Sequence, residues 1–457
     1  MNGLDAFVHP WHNTTTLHPI GAVAMAILGV AMLTVPRRWA LVVMLVMACF
    51  ISPAQRIVVM SVDLNMLRIM ILAGWLRIAL RSEYRGLAFK PIDLVLVSWG
   101  VVGSVMMIFL YGTANIVMNR LGHMYDVLGM YFLVRCLIRS WDDVGTLASG
   151  AAAIGVPVAI SFLIEKATGR NMFAVFGGVP EFTDVRQGKL RCQGAFGHPI
   201  LAGVFWASLM PIFLALWWRG SMQRTLAVVG VTASTIIVLT CSSSTPVIVV
   251  MFGALVCLLF PLRASIRWFG LGGVGLLAGL HFVMHAPVWH LLARVDVVGG
   301  STGWYRYKLI DAFVQQFGDW WLTGSTNYGE WYRWGLADVT NQYVVEGVNG
   351  GLLTLALFLA LIVSACVGLA RAWRVRGLPS CDRLMAWMLF SSIAMHCVAF
   401  LAVSHFGQLS YMWYMLLGLA GCAAPRARAK AIVPRPGAPV WRTTDADPTE
   451  RRRGIWA

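Results

Sequence analysis

Long apolar segments recur from one end of this 457-residue chain to the other. Each is roughly 17 to 25 residues long, the length of an α-helix that crosses a hydrocarbon core about 30 Å thick. Only 12% of the residues are charged, about half the share in an ordinary soluble domain. The segments therefore predict an all-α, polytopic integral membrane protein. The expected spans are approximately residues 18–35, 39–54, 57–76, 92–112, 117–134, 144–164, 199–218, 225–241, 245–262, 267–285, 343–370, 384–403 and 408–423.

Two of these spans carry ionisable residues, so the expected number of spans is twelve or thirteen. The third contains Asp63 and Arg68, and the fifth contains Arg120, His123 and Asp126. Charged groups at membrane depth usually face a cavity or a partner. Here they predict a structural ion pair, a position at the membrane interface, or a proton path if the chain is a transporter.

Basic residues are distributed unequally between the loops on the two sides of this topology. Lys and Arg collect in cytoplasmic loops, and most of them fall on one side when the N-terminus is outside. We therefore expect a periplasmic N-terminus and a cytoplasmic C-terminus in a bacterial inner membrane. Topogenic arginines account for the net charge of +16, so no nucleic-acid partner is expected. The domain division is a transmembrane region, 1–423, and a basic Pro/Arg-rich tail, 424–457, expected to be disordered.

Function is expected on the outer face, because the two long loops lie there. They cover about 165–198 and 286–342. In the second, Ser301 and Thr302 can cap a helix, and Leu309 and Phe313 recur at helical spacing. An amphipathic helix at the membrane surface is therefore predicted, and it would carry Arg306.

Basic residues in these outer loops run against the orientation rule. Their guanidinium groups suit a phosphate diester or pyrophosphate, which they bind through parallel hydrogen bonds; the alternative is solvated or headgroup-facing charge. The loop aromatics, Trp320 and Trp321 among them, fit either an interfacial belt or a platform for sugar rings. The basic residues concerned are Arg170, Arg186, Lys189, Arg191, Arg306, Lys308 and Arg333.

An ordered set of motifs resembles the O-antigen ligase / O-antigen polymerase family across roughly residues 60–420. The set comprises Arg191-x-x-Gly194-x-Phe196-x-His198-Pro199, Ser242-Ser243-Ser244, Arg306 at the start of an amphipathic helix, and Thr340-Asn341-Gln342-Tyr343 running into Glu346-Gly347-Val348-Asn349-Gly350-Gly351-Leu352.

The resemblance implies a membrane glycosyltransferase that takes glycan from undecaprenyl pyrophosphate and joins it to a saccharide acceptor in the periplasm, without metal or cofactor. Such an enzyme could work beside polysaccharide export machinery. The family's donor-binding arginines correspond to Arg191 and Arg306. We expect further substrate contacts from Lys189, Lys308, Arg333, Trp320, Trp321 and Asn341.

The chain departs from the family's pattern at Thr340, where the ligases usually have His. Thr cannot serve as a general base near neutral pH. Asp338 is the candidate base, although it equally fits a helix cap, and His198 or His290 is the alternative. Loss of the His favours a polymerase of exopolysaccharide or O-antigen repeat units over a ligase acting on lipid A-core. A lipid or glycan transporter is the alternative of another class.

Overall fold

The computed structural model describes residues 14–59, 62–294, 303–331 and 339–423. This part of the chain is mostly helical, with two short hairpins. The helices are α1 Pro19–Thr34, α2 Ala40–Phe50, α3 Met66–Leu80, α4 Pro91–Tyr111, α5 Ala114–Leu137, α6 Trp141–Thr168, α7 Pro199–Leu216, α8 Ser221–Thr240, α9 Ser244–Leu258, α10 Ile266–Val283, α11 Gly303–Gln315, α12 Phe317–Trp320, α13 Gln342–Trp373, α14 Ser380–Ala399 and α15 Gln408–Ala423. The strands are β1 Arg56–Val59, β2 Val62–Asn65, β3 Val185–Arg186 and β4 Lys189–Leu190.

Six helical stretches among the described residues are long and apolar enough to cross a membrane. They include α4, α6, α7, α8 and α13, together with the stretch Phe260–Val283, which contains α10. The expectation of a helical membrane protein is confirmed in this form. α2, by contrast, has only 11 residues, about 17 Å of helix, so the second expected span does not cross a bilayer as a single helix.

The third expected span is wrong, because a β-hairpin replaces its first half. β1 and β2 pair as antiparallel strands, and α3 begins only at Met66. The β-branched run of β1 favours a strand. Arg56 and Asp63 form an ion pair across the hairpin at 2.6 Å. Asn65 then caps α3 by accepting a hydrogen bond from the backbone N–H of Arg68.

α7 lies at the centre of the bundle and is almost wholly buried. It packs against α8, α14 and α9. Gly203 on α7 faces the ring of Pro246 on α9, and a side chain at that position would overlap the ring. The close approach of these two helices brings the loop before α7 next to the start of α9.

α13 is a discontinuous helix. Gly351 has φ 71° and ψ −174°, which interrupts the helical backbone. The outer segment after α12 replaces the lost hydrogen bonds, since Leu352 donates its N–H to the carbonyl of Trp321 at 2.7 Å and Ser325 donates to the carbonyl of Val348 at 2.8 Å. Backbone groups at membrane depth need such partners. The break therefore joins the second long loop to the middle of the bundle.

Candidate functional site

The loop before α7 is anchored by the last turn of α6. The buried carboxylate of Glu165 accepts hydrogen bonds from the N–H groups of Gln193 and Gly194, at 3.0 and 3.1 Å, and from the hydroxyl of Thr183 at 3.1 Å. Lys166 donates to the carbonyl of Leu190 at 2.7 Å. Charge-assisted bonds of this kind are stronger than neutral ones, so they fix the backbone on both sides of Arg191.

Arg191 is held close to a second arginine. Its side chain is only 8% exposed, and its one ion pair, to Asp184, is 3.8 Å long with a carboxylate that is largely exposed. Burial lowers the pKa of Arg191 below its usual value, and the charge of Arg186 lowers it further. Among the described residues, the guanidinium of Arg191 thus has a single counter-charge, the solvent-exposed carboxylate of Asp184.

The hairpin of β3 and β4 sets Lys189 opposite Arg186. Gln187 and Gly188 at its turn both have positive φ, as a two-residue hairpin turn of type I′ requires. Lys189 is exposed. Lys189, a predicted substrate contact, therefore lies on the same hairpin as Arg186, whose charge acts on Arg191.

Arg306 reaches the same region from the second loop. The predicted amphipathic helix around it is present as α11, which buries Leu309 and Phe313. Nη2 of Arg306 donates to the hydroxyl of Thr245 at 3.1 Å, in the first turn of α9. Its Nε is buried and has no partner among the described residues. Burial lowers the pKa of Arg306, and the charge of Arg186 lowers it further.

Arg191 and Arg306 therefore reach the same turn, between α8 and α9, because the N–H next to Arg191, that of Cys192, donates to the carbonyl of Thr240 at 3.2 Å and Arg306 donates to Thr245. Together with the exposed Arg186, whose charge acts on both, they form what we call the arginine cluster. The N-terminus of α9 adds its own partial positive charge, and its N-cap residue, Ser243, makes no side-chain capping bond. Burial of a cation is costly without a close counter-charge, and Asp184, 3.8 Å from Arg191, is the one carboxylate that is ion-paired with these arginines among the described residues. An anion with several oxygen atoms would neutralise the cluster.

His198 caps α7 beside this cluster. Its Nδ1 accepts a hydrogen bond from the N–H of Ile200 at 3.2 Å, so Nε2 carries the proton in the neutral ring. Burial, followed by the charge of Arg191, lowers the pKa of His198 to about 4. At neutral pH the ring is therefore an uncharged hydrogen-bond donor and a poor candidate for a base.

The remaining predicted residues have varied surroundings. Trp320 is buried and stacked on Phe313 with ring centroids 3.9 Å apart, which leaves no face for a sugar ring, whereas Trp321 is 46% exposed. The ammonium of Lys308 lies over the ring of Trp304 at 4.7 Å.

Three predicted residues belong to the segment before α13. Asn341 is buried and caps α13, accepting hydrogen bonds from the N–H groups of Tyr343 and Val344, so its carbonyl is already engaged. Arg333 and the candidate base Asp338 lie outside the described residues.

A large cavity reaches the start of α7, although none of the three arginines of the cluster belongs to its described lining. Its volume is about 1830 Å³, and Gly197 and Leu201, which flank His198, form part of its wall. Apolar side chains form much of the rest, and carboxamides, charged groups and aromatic rings are interspersed among them, a mixture that suits hydrated sugars. Its polar and aromatic lining includes Arg68, Trp99, Asn115, Asn119, Arg120, Tyr328, Gln342, Glu346, Asn349 and His405.

Glu346 is a carboxylate of this cavity that the sequence alone did not single out as functional. It lies on the short first segment of α13, before the break, and is buried. Its oxygens accept hydrogen bonds from the indole N–H of Trp99 at 2.9 Å and from the side chain of Gln342 at 2.8 Å. A lone acidic residue in a segment of membrane length was the available signal.

The charged residues of the third and fifth expected spans form an ion pair at the cavity wall. Arg68 donates to both carboxylate oxygens of Asp126, at 2.9 and 2.7 Å. Tyr411 donates to the same carboxylate at 2.9 Å. This bidentate arrangement favours the structural ion pair over a proton path.

Comparisons with known proteins leave the family open. No family model matches this chain, and no curated protein matches it. The function of the chain is therefore inferred from the geometry of the arginine cluster and from the cavity that reaches the start of α7.

Proposed function

We propose that this chain is a membrane glycosyltransferase that transfers glycan from undecaprenyl pyrophosphate to a saccharide acceptor. The observation that carries the proposal is the arginine cluster, in which two separate loops bring Arg191 and Arg306 to the turn between α8 and α9. The N–H of Cys192 donates to the carbonyl of Thr240 there, and Arg306 donates to the hydroxyl of Thr245. A pyrophosphate has the charge and the number of oxygens that such a site lacks. Helix N-termini and guanidinium forks are recurrent partners of phosphate groups.

The proposed orientation puts the cluster on the periplasmic side of a bacterial inner membrane. Arg263 and Arg267 follow α9, whereas the arginine cluster lies at its beginning. Since the basic loops of membrane proteins face the cytoplasm, the beginning of α9 faces the opposite side. The N-terminus is then periplasmic and the C-terminus cytoplasmic.

In the proposed reaction the bond between the anomeric carbon and the pyrophosphate oxygen breaks, and its electron pair leaves with the pyrophosphate. The arginine cluster stabilises the charge that develops there, a task for which preorganised cations are effective. The sugar passes through an oxocarbenium-like state. An acceptor hydroxyl forms the new bond to the anomeric carbon and gives up its proton.

Glu346 is our candidate for receiving that proton. It lines the cavity whose wall includes Gly197 and Leu201, on either side of His198 in the sequence. The two hydrogen bonds that it accepts, from Trp99 and Gln342, leave lone pairs for a sugar hydroxyl. Asn349 and Gln342 line the same cavity, and their carboxamides suit the remaining hydroxyls of an acceptor.

Glu346→Gln tests this role. Glutamine keeps the size of the side chain but cannot take a proton, so we expect the transfer rate to fall by about a hundredfold while binding of the lipid-linked donor is retained. Initial rates and donor binding by the purified variant provide the measurement. Glu330→Gln, at an exposed position of the second loop, is the matched control. An unchanged rate for Glu346→Gln would remove Glu346 from the reaction.

The transfer itself is tested with the purified full-length protein and a lipid-linked oligosaccharide. A ladder of lengthening products is expected if the chain polymerises repeat units, as we propose. A single transfer to a terminal acceptor such as lipid A-core would identify a ligase. Absence of any glycosidic product from protein that binds the donor would contradict the glycosyltransferase proposal.

A transporter of lipid or glycan is the second candidate, and the break in α13 favours it. Discontinuous helices commonly line the substrate sites of transporters, and α13 is interrupted at Gly351 next to the large cavity. Movement of a labelled lipid-linked glycan across reconstituted vesicles, without covalent change, would select this function over transfer.

A further inference from the structure

A second basic site lies at the far end of α9 from the arginine cluster. There, the ends of α9 and α13 meet the beginnings of α10 and α14 around a pocket of about 540 Å³. We call it the basic pocket. Its lining consists of Pro261, Arg263, Ala264, Arg267, Trp373, Arg374, Val375, Arg376 and Arg383.

The five arginines of the basic pocket have no carboxylate among them. No acidic residue belongs to the described lining, and the nearby Asp382 is already ion-paired with Arg219. Arg263 lies over the ring of Phe260 at 4.4 Å, and Arg267 lies over the ring of Trp268 at 5.0 Å. Ring contacts orient a guanidinium group but do not neutralise it.

Two buried N–H groups of the pocket also lack acceptors. Trp373 is only 3% exposed, and its indole N–H has no partner among the described residues. The same holds for Nε of Arg383, whose Nη2 donates to the carbonyl of Leu378 at 3.2 Å. Buried donors are nearly always satisfied in folded proteins, so their presence in a cationic pocket points to a bound oxyanion. Arginines that served only to orient the chain in the membrane would require neither a pocket nor a buried indole N–H.

Apolar side chains beside the pocket indicate where the oxyanion comes from. Leu258 at the end of α9 is 77% exposed, and Leu262 is 48% exposed. A free phosphate makes no favourable contact with apolar side chains. A lipid, by contrast, needs apolar surface for its acyl chains next to a site for its headgroup. Basic pockets between helices on the cytoplasmic side bind anionic headgroups in this way.

We infer that the basic pocket binds the phosphate headgroup of an anionic membrane lipid, with Arg267, Arg383 and the indole of Trp373 as donors. This inference does not depend on glycosyl transfer. It assigns the chain a lipid site at the opposite end of α9 from its proposed active site.

The test uses the full-length protein, purified in detergent, stripped of lipid and titrated with dioleoyl phosphatidylglycerol. We expect its melting temperature to rise by several degrees, because a ligand that binds the native state stabilises it. Phosphatidylcholine and inorganic phosphate are expected to leave it unchanged. In Arg267→Gln/Arg383→Gln, the phosphatidylglycerol concentration for a half-maximal shift should increase by about tenfold or more, the effect of losing charge-assisted hydrogen bonds.

Arg85→Gln/Arg224→Gln is the matched control, since it removes the same charge from exposed positions outside the pocket. Trp373→Phe keeps a ring but loses the donor, and it should weaken lipid retention in native mass spectrometry even if the double arginine variant does not fold. Equal shifts with phosphatidylcholine, or equal weakening by the control, would overturn the site. A shift produced equally by inorganic phosphate would overturn the assignment to a lipid.

Discussion

Arg306→Ala is expected to reduce the rate of glycan transfer by at least about a hundredfold. The reason is that a preorganised cation at a developing charge contributes several kcal/mol to transition-state stabilisation. Arg306 is well placed for this, because one nitrogen is fixed by Thr245 and another, Nε, is buried and has no partner in the described part of the chain. Arg306→Lys should recover only part of the rate, since an ammonium keeps the charge but loses the planar fork. Initial rates with a lipid-linked donor provide the measurement.

Arg294→Ala is the control for that substitution. Arg294 is an exposed arginine of the same outer segment, so its loss should leave the rate within about twofold, as is usual for surface positions. Adding Arg191→Ala to Arg306→Ala should cost much less than the product of the two single effects, because residues that act as a unit are strongly non-additive. Full activity of both single variants would remove the arginine cluster from the reaction.

Gly351→Ala is expected to destabilise the fold and to displace the outer segment after α12. Gly351 has φ 71° and ψ −174°, a conformation that costs an L-residue about 1–3 kcal/mol. A Cβ atom there would also overlap the backbone carbonyl of Leu322, and backbone cannot move aside as the end of a flexible side chain can. We expect a melting temperature lower by roughly 2–5 °C for a chain of this size and faster proteolysis within the second loop.

Gly272→Ala provides the comparison. Gly272 is inside α10, and a Cβ atom at that position meets nothing within 4 Å. Alanine is the better helix former by up to about 1 kcal/mol, so this variant should be as stable as the wild type or slightly more so. If Gly351→Ala melts at the wild-type temperature, the backbone contacts across the break do not hold the loop.

Hydrophobic length and helical periodicity were sufficient to predict several features of this chain. They predicted its helical character and the amphipathic helix that carries Arg306, because both signals are local. Basic residues in loops that the orientation rule expects to hold few of them also indicated Arg191 and Arg306. The charge of Arg186 lowers the pKa of both.

Features that depend on contacts between distant residues could not be predicted in the same way. The apolar run after Arg56 has the composition of a span, yet it pairs with β2, because its β-branched residues and the ion pair with Asp63 favour a hairpin. Trp320 is of the residue type that stacks on sugar rings, but it is buried and stacked on Phe313. Glu346 gains its significance only from the cavity around it.

The length of α9 has a consequence for how a lipid-linked donor would reach the arginine cluster. With 15 residues, α9 measures about 22 Å even when upright, whereas the hydrocarbon core is about 30 Å thick. A helix this short requires local thinning of the bilayer, or ends below its surface. If the first turn is the end that lies below the surface, Thr245 and the guanidinium of Arg306 are recessed toward the acyl chains. A pyrophosphate could descend to it while its polyprenyl tail remains in the membrane.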